Sequence, residues 1–78
     1  MAQDMQDWLA AFAGEVGTPP PTREEMDLLL ELASLAAHAS QRPAAPITCW
    51  LAARAGVAPT DALVIGKRLA RDLEAEDA

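Results

Sequence analysis

The sequence predicts an all-α protein that folds as a compact bundle of four helices. Helix-favouring residues dominate the composition, with 18 alanines and 10 leucines among 78 residues, whereas tyrosine and asparagine are absent. Apolar side chains recur at helical spacing in four segments, which are separated by prolines and glycines. We therefore expect helices over about residues 4–16, 22–40, 46–55 and 59–75, within a single domain that spans residues 1–78.

The first helix is predicted to begin after Asp4, a residue type that commonly caps a helix N-terminus. Gly14 and Gly17 provide the stop signal, because glycine is the usual residue just beyond a helix end. The spacing i, i+4, i+7 and i+11, with Trp8 on the flank, predicts one apolar stripe formed by Met5, Leu9, Phe12 and Val16.

The second helix carries the clearest start signal, because Thr22 and Glu25 have the spacing of a capping box. Almost every position from 26 to 39 is apolar. The exceptions share one narrow polar stripe, namely Asp27, Glu31, Ser34 and His38. A helix that is apolar on most of its circumference is expected at the centre of a bundle, in contact with several neighbours.

Two prolines separate the second helix from the third. Pro43 ends the second helix, because the residue before a proline avoids helical geometry. Pro46 fits the first turn of the third helix, where its missing N–H is not needed. That helix is expected to end at Gly56 and to direct three large side chains inward, those of Ile47, Trp50 and Leu51.

The fourth helix is predicted to begin at Pro59 and to carry a further apolar stripe. Gly66 lies within this stripe and allows a close approach of another helix, at some cost in helix propensity. The C-terminal segment 74–78, which contains three acidic residues, should fray. The stripe itself consists of Ala62, Ile65, Leu69 and Leu73.

The charge balance argues against two classes of partner. A formal net charge of −6 would be repelled by the phosphates of nucleic acids and by anionic membranes, so neither is expected to bind the chain non-specifically. The N-terminus lacks the features of a signal peptide, and no segment has the uninterrupted apolar length that spans a bilayer. We expect a cytoplasmic protein.

The residues that usually carry chemistry do not form a reactive set in the sequence. Glu31 and His38 share a helix face but lie about 10 Å apart along the axis, too far for one metal ion. Cys49, the only cysteine, lies between Thr48 and a tryptophan in an apolar helix, where it is expected to act as a small hydrophobic residue. We expect no catalytic residue, no metal and no cofactor, and therefore no enzymatic activity.

The break after the second helix offers the most specific polar group. His38 and Arg42 lie at the C-terminal end of that helix, and the N-terminus of the next helix faces the same loop. Free N–H groups there, together with Arg42, could hold a phosphate or carboxylate. Arg42 could equally serve only to tie the loop to the second helix. The candidate interaction or anion loop comprises His38, Arg42, Ala45 and Thr48.

Residues 47–71 also have a sequence pattern similar to that of a bacterial helix-turn-helix. Small residues occupy the tight positions of the turn, and Val57 follows it. Basic side chains give this half of the chain a local positive charge. However, Thr60, Asp61 and Ala62 would face the DNA groove, and none of them is a strong reader of bases. A DNA-binding regulator is thus the alternative function.

Three pieces of sequence together match a known pattern. Asp7-Trp8-Leu9 opens the first helix, the leucine-rich second helix ends in Ala37-His38, and Arg-Pro-Ala-Ala-Pro-Ile-Thr follows at residues 42–48. In these pieces the chain resembles a short, mostly actinobacterial domain of unknown function, which occurs alone or fused to the molybdenum cofactor guanylyltransferase (molybdopterin-guanine dinucleotide biosynthesis protein A). Cys49 and Trp50 depart from the family pattern, in which smaller apolar residues are usual.

The resemblance implies a link to molybdenum cofactor assembly, although it supplies no catalytic residue. The leading expectation is therefore a non-enzymatic helical accessory domain that presents a helix surface to a protein partner. The guanylyltransferase or a molybdoenzyme is the expected partner. The sequence is also compatible with a homo-oligomer.

Overall fold

The computed structural model describes residues 4–77, which form four helices and no strand. The predicted all-α bundle is confirmed. The helices, in chain order, are α1 (Met5–Val16), α2 (Arg23–Ala39), α3 (Ala44–Arg54) and α4 (Pro59–Asp77).

Two predicted helix boundaries differ from the structure by two residues each. α3 begins at Ala44 rather than at Pro46, because Pro43 already has helical backbone angles (φ −63°, ψ −16°). Pro46 is then the third residue of α3, still within the first turn, where no N–H is required. α4 continues to Asp77, so residues 74–77 are helical rather than frayed as expected, since Glu74, Ala75 and Glu76 are residue types that favour the helix.

The predicted caps are confirmed, except that Gly14 lies within α1 and does not end it. The carboxylate of Asp4 accepts a hydrogen bond from the N–H of Asp7 at 2.8 Å. The hydroxyl of Thr22 accepts from the N–H of Glu25 at 3.0 Å, and the Glu25 carboxylate accepts from the N–H of Thr22 at 2.8 Å. Gly17 follows α1 with a φ of 82°, a left-handed angle that glycine adopts without strain.

α2 is the central helix, as its apolar circumference predicts, and it packs against both α3 and α4. Leu32 is only 2% exposed and forms the core with Ala62 and Leu63 of α4. Gly66 of α4 lies so close to α2 that a Cβ atom there would be 2.9 Å from a methyl group of Leu32. The other side chains packed against this core are Leu28, Leu35, Cys49, Ala52 and Val57.

The predicted apolar stripe of α1 is mostly uncovered. Ala13 is buried and Leu9 is half-buried, and Leu9 lies beside Pro20, Pro21 and the start of α2. The remaining members of the stripe point away from the protein, because α1 packs extensively against no other helix within residues 4–77. Met5, Trp8, Phe12 and Val16 are each more than half exposed.

The inward direction predicted for Ile47, Trp50 and Leu51 is wrong, since all three are more than half exposed. The half-buried positions of α3 include Ala45, Cys49 and Ala52, which share one face by their spacing. α3 therefore packs on α2 through small side chains, and its large apolar side chains lie outside the core.

Candidate functional site

A groove runs between α3 and α4, with α2 as its floor. It consists of two adjoining cavities of about 270 and 240 Å³ that share Leu32, Thr48, Gly66 and Leu69. Among the described residues, no charged side chain lines either cavity. An open apolar hollow with few polar groups has the character of a binding surface.

The helix packing explains why this groove exists. α3 and α4 each pack on α2, but within residues 4–77 they do not pack extensively against each other. Gly66 adds depth, because it has no side chain to fill the floor. The walls are formed by Leu51, Ile65 and Leu69, whose side chains remain 43–53% exposed. The predicted stripe of α4 thus lies partly outside the core, with only Ala62 fully buried.

A second apolar surface lies on α3 and points away from the groove. Ile47, Trp50 and Arg54 are spaced i, i+3 and i+7, which places them on one side of the helix. The first two are each 58% exposed, and the Arg54 guanidinium lies 5.1 Å from the centre of the Trp50 ring. We call these three residues the α3 outer face. Tryptophan and arginine are the residue types that dominate binding energy at protein interfaces.

A third apolar surface lies on α1 and comprises Met5, Trp8, Phe12 and Val16, which we call the α1 stripe. The rings of Trp8 and Phe12 stack with their centroids 6.2 Å apart and their planes inclined by 29°. Aromatic rings in such an offset arrangement attract each other beyond the effect of area burial. The sequence pattern showed this stripe but not that it is uncovered.

The candidate anion loop is arranged differently from the sequence-based expectation. His38 folds back on its own helix, with Nδ1 only 2.7 Å from the Ser34 carbonyl oxygen, to which it can donate when protonated. Arg42 is exposed, whereas Thr48 lines the groove between α3 and α4. The four proposed loop residues therefore do not face one common point.

The backbone at the start of α3 does not offer the expected donors. The N–H of Ala44 donates to the Gln41 carbonyl at 2.9 Å, and the N–H of Ala45 donates to the Arg42 carbonyl at 3.1 Å. Pro46 has no N–H, so the first three residues of α3 have no free N–H group for a ligand. Anion binding at this loop stays a prediction that now depends on the Arg42 side chain.

The polar stripe of α2 interacts with neighbouring side chains. The Glu31 carboxylate lies 3.1 Å from the Lys67 ammonium group of α4, and Asp27 lies 3.8 Å from the Arg23 guanidinium. All four side chains are more than half exposed, so these ion pairs contribute little stability. Within residues 4–77, no cluster of three residues is arranged to hold a metal ion.

Cys49, the one cysteine of the sequence, packs against the core, where its surroundings disfavour the thiolate. Burial raises the pKa of the Cys49 thiol above its ordinary value, so the neutral thiol is favoured. Its sulfur lies 3.9 Å from the Leu29 carbonyl oxygen, to which the S–H can donate. Separately, none of the described helices combines the length and apolarity needed to cross a bilayer.

The groove and the α3 outer face are the surfaces that sequence reasoning missed. Helical spacing identifies apolar stripes, but a stripe that packs in the core and a stripe that stays open have the same spacing. The sequence of α3 did contain a signal. One face of this helix consists of alanines and Cys49, and another carries Ile47 and Trp50, so either face could have packed in the core. Small side chains permit close helix approach, and the face of alanines and Cys49 is the one that packs.

Comparison with known proteins identifies a family for this chain. The model of a family described as Domain of unknown function (DUF6457) matches residues 1–78. No curated protein and no solved structure matches the chain.

Proposed function

This chain belongs to that family of domains of unknown function, and from its uncovered surfaces we propose that it acts as a protein-interaction domain. The α3 outer face is the proposed binding surface. Its function is to bind a protein partner rather than to catalyse a reaction.

The observation that carries this proposal is the exposure of Trp50 beside Arg54. A tryptophan that is 58% exposed in a free monomer keeps a large apolar surface in water, and an interface would bury it. Arg54 is the only charged residue of α3, and it lies against the Trp50 ring. This surface suits a partner that presents an apolar pocket next to a carboxylate.

The non-enzymatic part of the proposal rests on the surroundings of the two candidate catalytic groups. The pKa of Cys49 is raised, which disfavours the thiolate that nucleophilic catalysis requires. The Nδ1 atom of His38 lies close to a backbone carbonyl oxygen of its own helix. The two groups thus show no nucleophile–base pairing.

The identity of the partner is proposed from the sequence resemblance. Ala37-His38 and the Arg-Pro-Ala-Ala-Pro run that begins at Arg42 are similar to a domain associated with molybdenum cofactor guanylyltransferase. We propose that the partner is this guanylyltransferase or a molybdoenzyme that receives the cofactor.

The test measures binding of the purified guanylyltransferase from the same organism by titration calorimetry, and then binding of a molybdoenzyme from that organism. Trp50→Ala is expected to weaken binding by about thirtyfold, the effect of losing about 2 kcal/mol at an interface hot spot. Leu30→Ala is the matched control, because Leu30 is 54% exposed but lies on α2. Equal binding by both variants would contradict the proposed surface, and no binding by either protein would contradict the proposed partners.

DNA binding by a helix-turn-helix is the second candidate. The turn between α3 and α4 favours it, because Gly56 has a φ of 73° and Val57 packs against the core. Arg68 and Arg71 are exposed on α4, whereas Asp61 is exposed in its first turn and would oppose phosphate. Fluorescence anisotropy with duplex DNA at low salt tests this candidate. A lack of binding to both generic duplex and the chain's own promoter region would remove it.

A further inference from the structure

Two apolar surfaces of this chain lie open and apart from each other. The α1 stripe projects from a helix that packs extensively against no other helix within residues 4–77. The groove between α3 and α4 lies open on the floor provided by α2. One surface is convex and presents stacked rings, whereas the other is concave and has an apolar lining. The shapes of the α1 stripe and of the groove are therefore complementary.

The amount of uncovered surface is sufficient for an interface with another chain. The accessible surface of the chain is 6223 Å². A folded monomer of 8.3 kDa is expected to expose about 4,600 Å², which leaves an excess of about 1,600 Å². Each partner in a standard protein interface contributes about 800 Å². The excess is thus larger than the surface that one chain contributes to a standard interface.

The two surfaces also match in length. The α1 stripe extends from Met5 to Val16, which corresponds to a rise of about 16 Å along a helix. The α4 wall of the groove extends from Ala62 to Leu73, which is the same number of residues and the same rise of about 16 Å. A helix laid along the groove would therefore keep its whole apolar stripe in contact.

Charge supports the same pairing on the α3 side of the groove. α1 and its cap contain the acidic residues Asp4, Asp7 and Glu15 and no basic residue. Arg42 precedes α3 and Arg54 ends it, and α3 contains no acidic residue. Arg42 lies in the chain between Ser40 and Ala44, which line the groove, so an acidic end of α1 would meet a positive charge at that end of the groove. α4 carries charges of both signs.

We infer that the α1 stripe of one copy occupies the groove of a second copy and that the exchange is reciprocal, giving a two-fold symmetric dimer. The connector explains why the groove is filled from another chain. Pro19, Pro20 and Pro21 hold α1 at the start of α2, and Leu9 packs beside this connector. Leu9 is thereby used within its own chain, whereas Phe12 and Trp8, which lie about 60° and about 100° from Leu9 around the helix, stay exposed for a partner. A closed two-fold contact also limits further assembly.

The first experiment is sedimentation equilibrium of the full chain over a range of concentrations. The natural sequence is expected to form a dimer. Phe12→Asp in the stripe and Leu69→Asp in the groove should each shift the chain to the monomer by at least a hundredfold in dissociation constant. Val64→Asp is the control, because Val64 is 63% exposed on α4 and is not part of the groove lining. Circular dichroism confirms that each variant keeps its helices.

The second experiment identifies which surfaces meet. In a Cys49→Ala background, one chain carries Phe12→Cys and a differently tagged chain carries Leu69→Cys. Mild oxidation of the mixture should give a disulfide-linked heterodimer in high yield. A mixture in which Val64→Cys replaces Leu69→Cys should give little of this product. The double variant Phe12→Cys/Leu69→Cys should likewise link two chains rather than close a ring within one chain.

Three results would overturn the inference. These are a chain that is monomeric at every concentration, a dimer that survives both aspartate variants, and a disulfide that forms within a single copy of the double variant. The inference is separate from the proposed function, because the α3 outer face is not part of the groove lining. Trp50→Ala should therefore leave the dimer unchanged while it weakens binding of the other protein.

Discussion

Gly66 shows how one residue sets the depth of the groove and the spacing of two helices. A methyl group at this position would lie 2.9 Å from Leu32 and 3.1 Å from Leu35, both closer than ordinary contact. Leu32 is 2% exposed and has little room to move. Gly14 of α1 lies in open space, with nothing within 4 Å of an added methyl group. Alanine substitutions at Gly66 and Gly14 therefore distinguish the cost of overpacking from the gain in helix propensity.

We expect Gly66→Ala to destabilise the protein by about 1 kcal/mol, because overpacking of about 1–3 kcal/mol exceeds the gain in helix propensity. Gly14→Ala gains the same helix propensity without the clash. It should raise the free energy of unfolding by up to about 1 kcal/mol. Urea unfolding followed by circular dichroism measures both changes. Equal effects of the two substitutions would show that α4 can move away from α2 at little cost.

At the scale of helices, the features that could be predicted from the sequence are local ones. The cap of Asp4, the capping box of Thr22 and the glycines after α1 and α3 each depend on residues within one turn. The structure confirms all of them because their hydrogen bonds do not depend on the rest of the fold.

The direction of each apolar face could not be predicted in the same way. Trp50 of α3 and Leu69 of α4 have the spacing of core residues, yet both are more than half exposed. Their burial depends on which neighbour is present and how closely it approaches. The small face formed by Ala45, Cys49 and Ala52 allows α3 to approach α2, so the larger side chains remain outside. The use of the Ala44 and Ala45 N–H groups by the turn before α3 could not be predicted for a related reason, because it depends on how the chain enters that helix.

The capping box gives a prediction at this scale. Thr22→Ala removes the acceptor for the Glu25 N–H and should destabilise the protein by about 1 kcal/mol. Thr18→Ala in the exposed connector is the control and should change stability by less than about 0.5 kcal/mol. Denaturant unfolding at neutral pH compares the two variants, and the prediction fails if Thr22→Ala behaves like the control.

At the scale of the whole molecule, the core is small for the amount of apolar sequence. Within residues 4–77 only Ala13, Leu32, Ala62 and Leu63 are fully buried, whereas a dozen large apolar side chains are more than 40% exposed. An isolated chain of this kind should have low stability, because hydrophobic burial is the main favourable contribution to folding. Association with another chain would supply the missing burial.

The midpoint of thermal unfolding should therefore rise with protein concentration, because dissociation accompanies unfolding in a dimer. A tenfold dilution should lower the midpoint by several degrees for the natural sequence. Phe12→Asp should unfold at a lower temperature that does not depend on concentration. Scanning calorimetry at three concentrations measures both. A midpoint independent of concentration for the natural sequence would mean that its uncovered surface stays uncovered in solution.

The three prolines before α2 have a consequence for the entropy of association. A flexible linker would let α1 sample many orientations in the free chain, and all of that freedom would be lost on docking. Consecutive prolines have fixed φ angles and favour one extended conformation, so the connector has little freedom left to lose. Replacing them with glycine and serine would leave every contact surface unchanged and still weaken association, because the loss would arise entirely in the unbound chain.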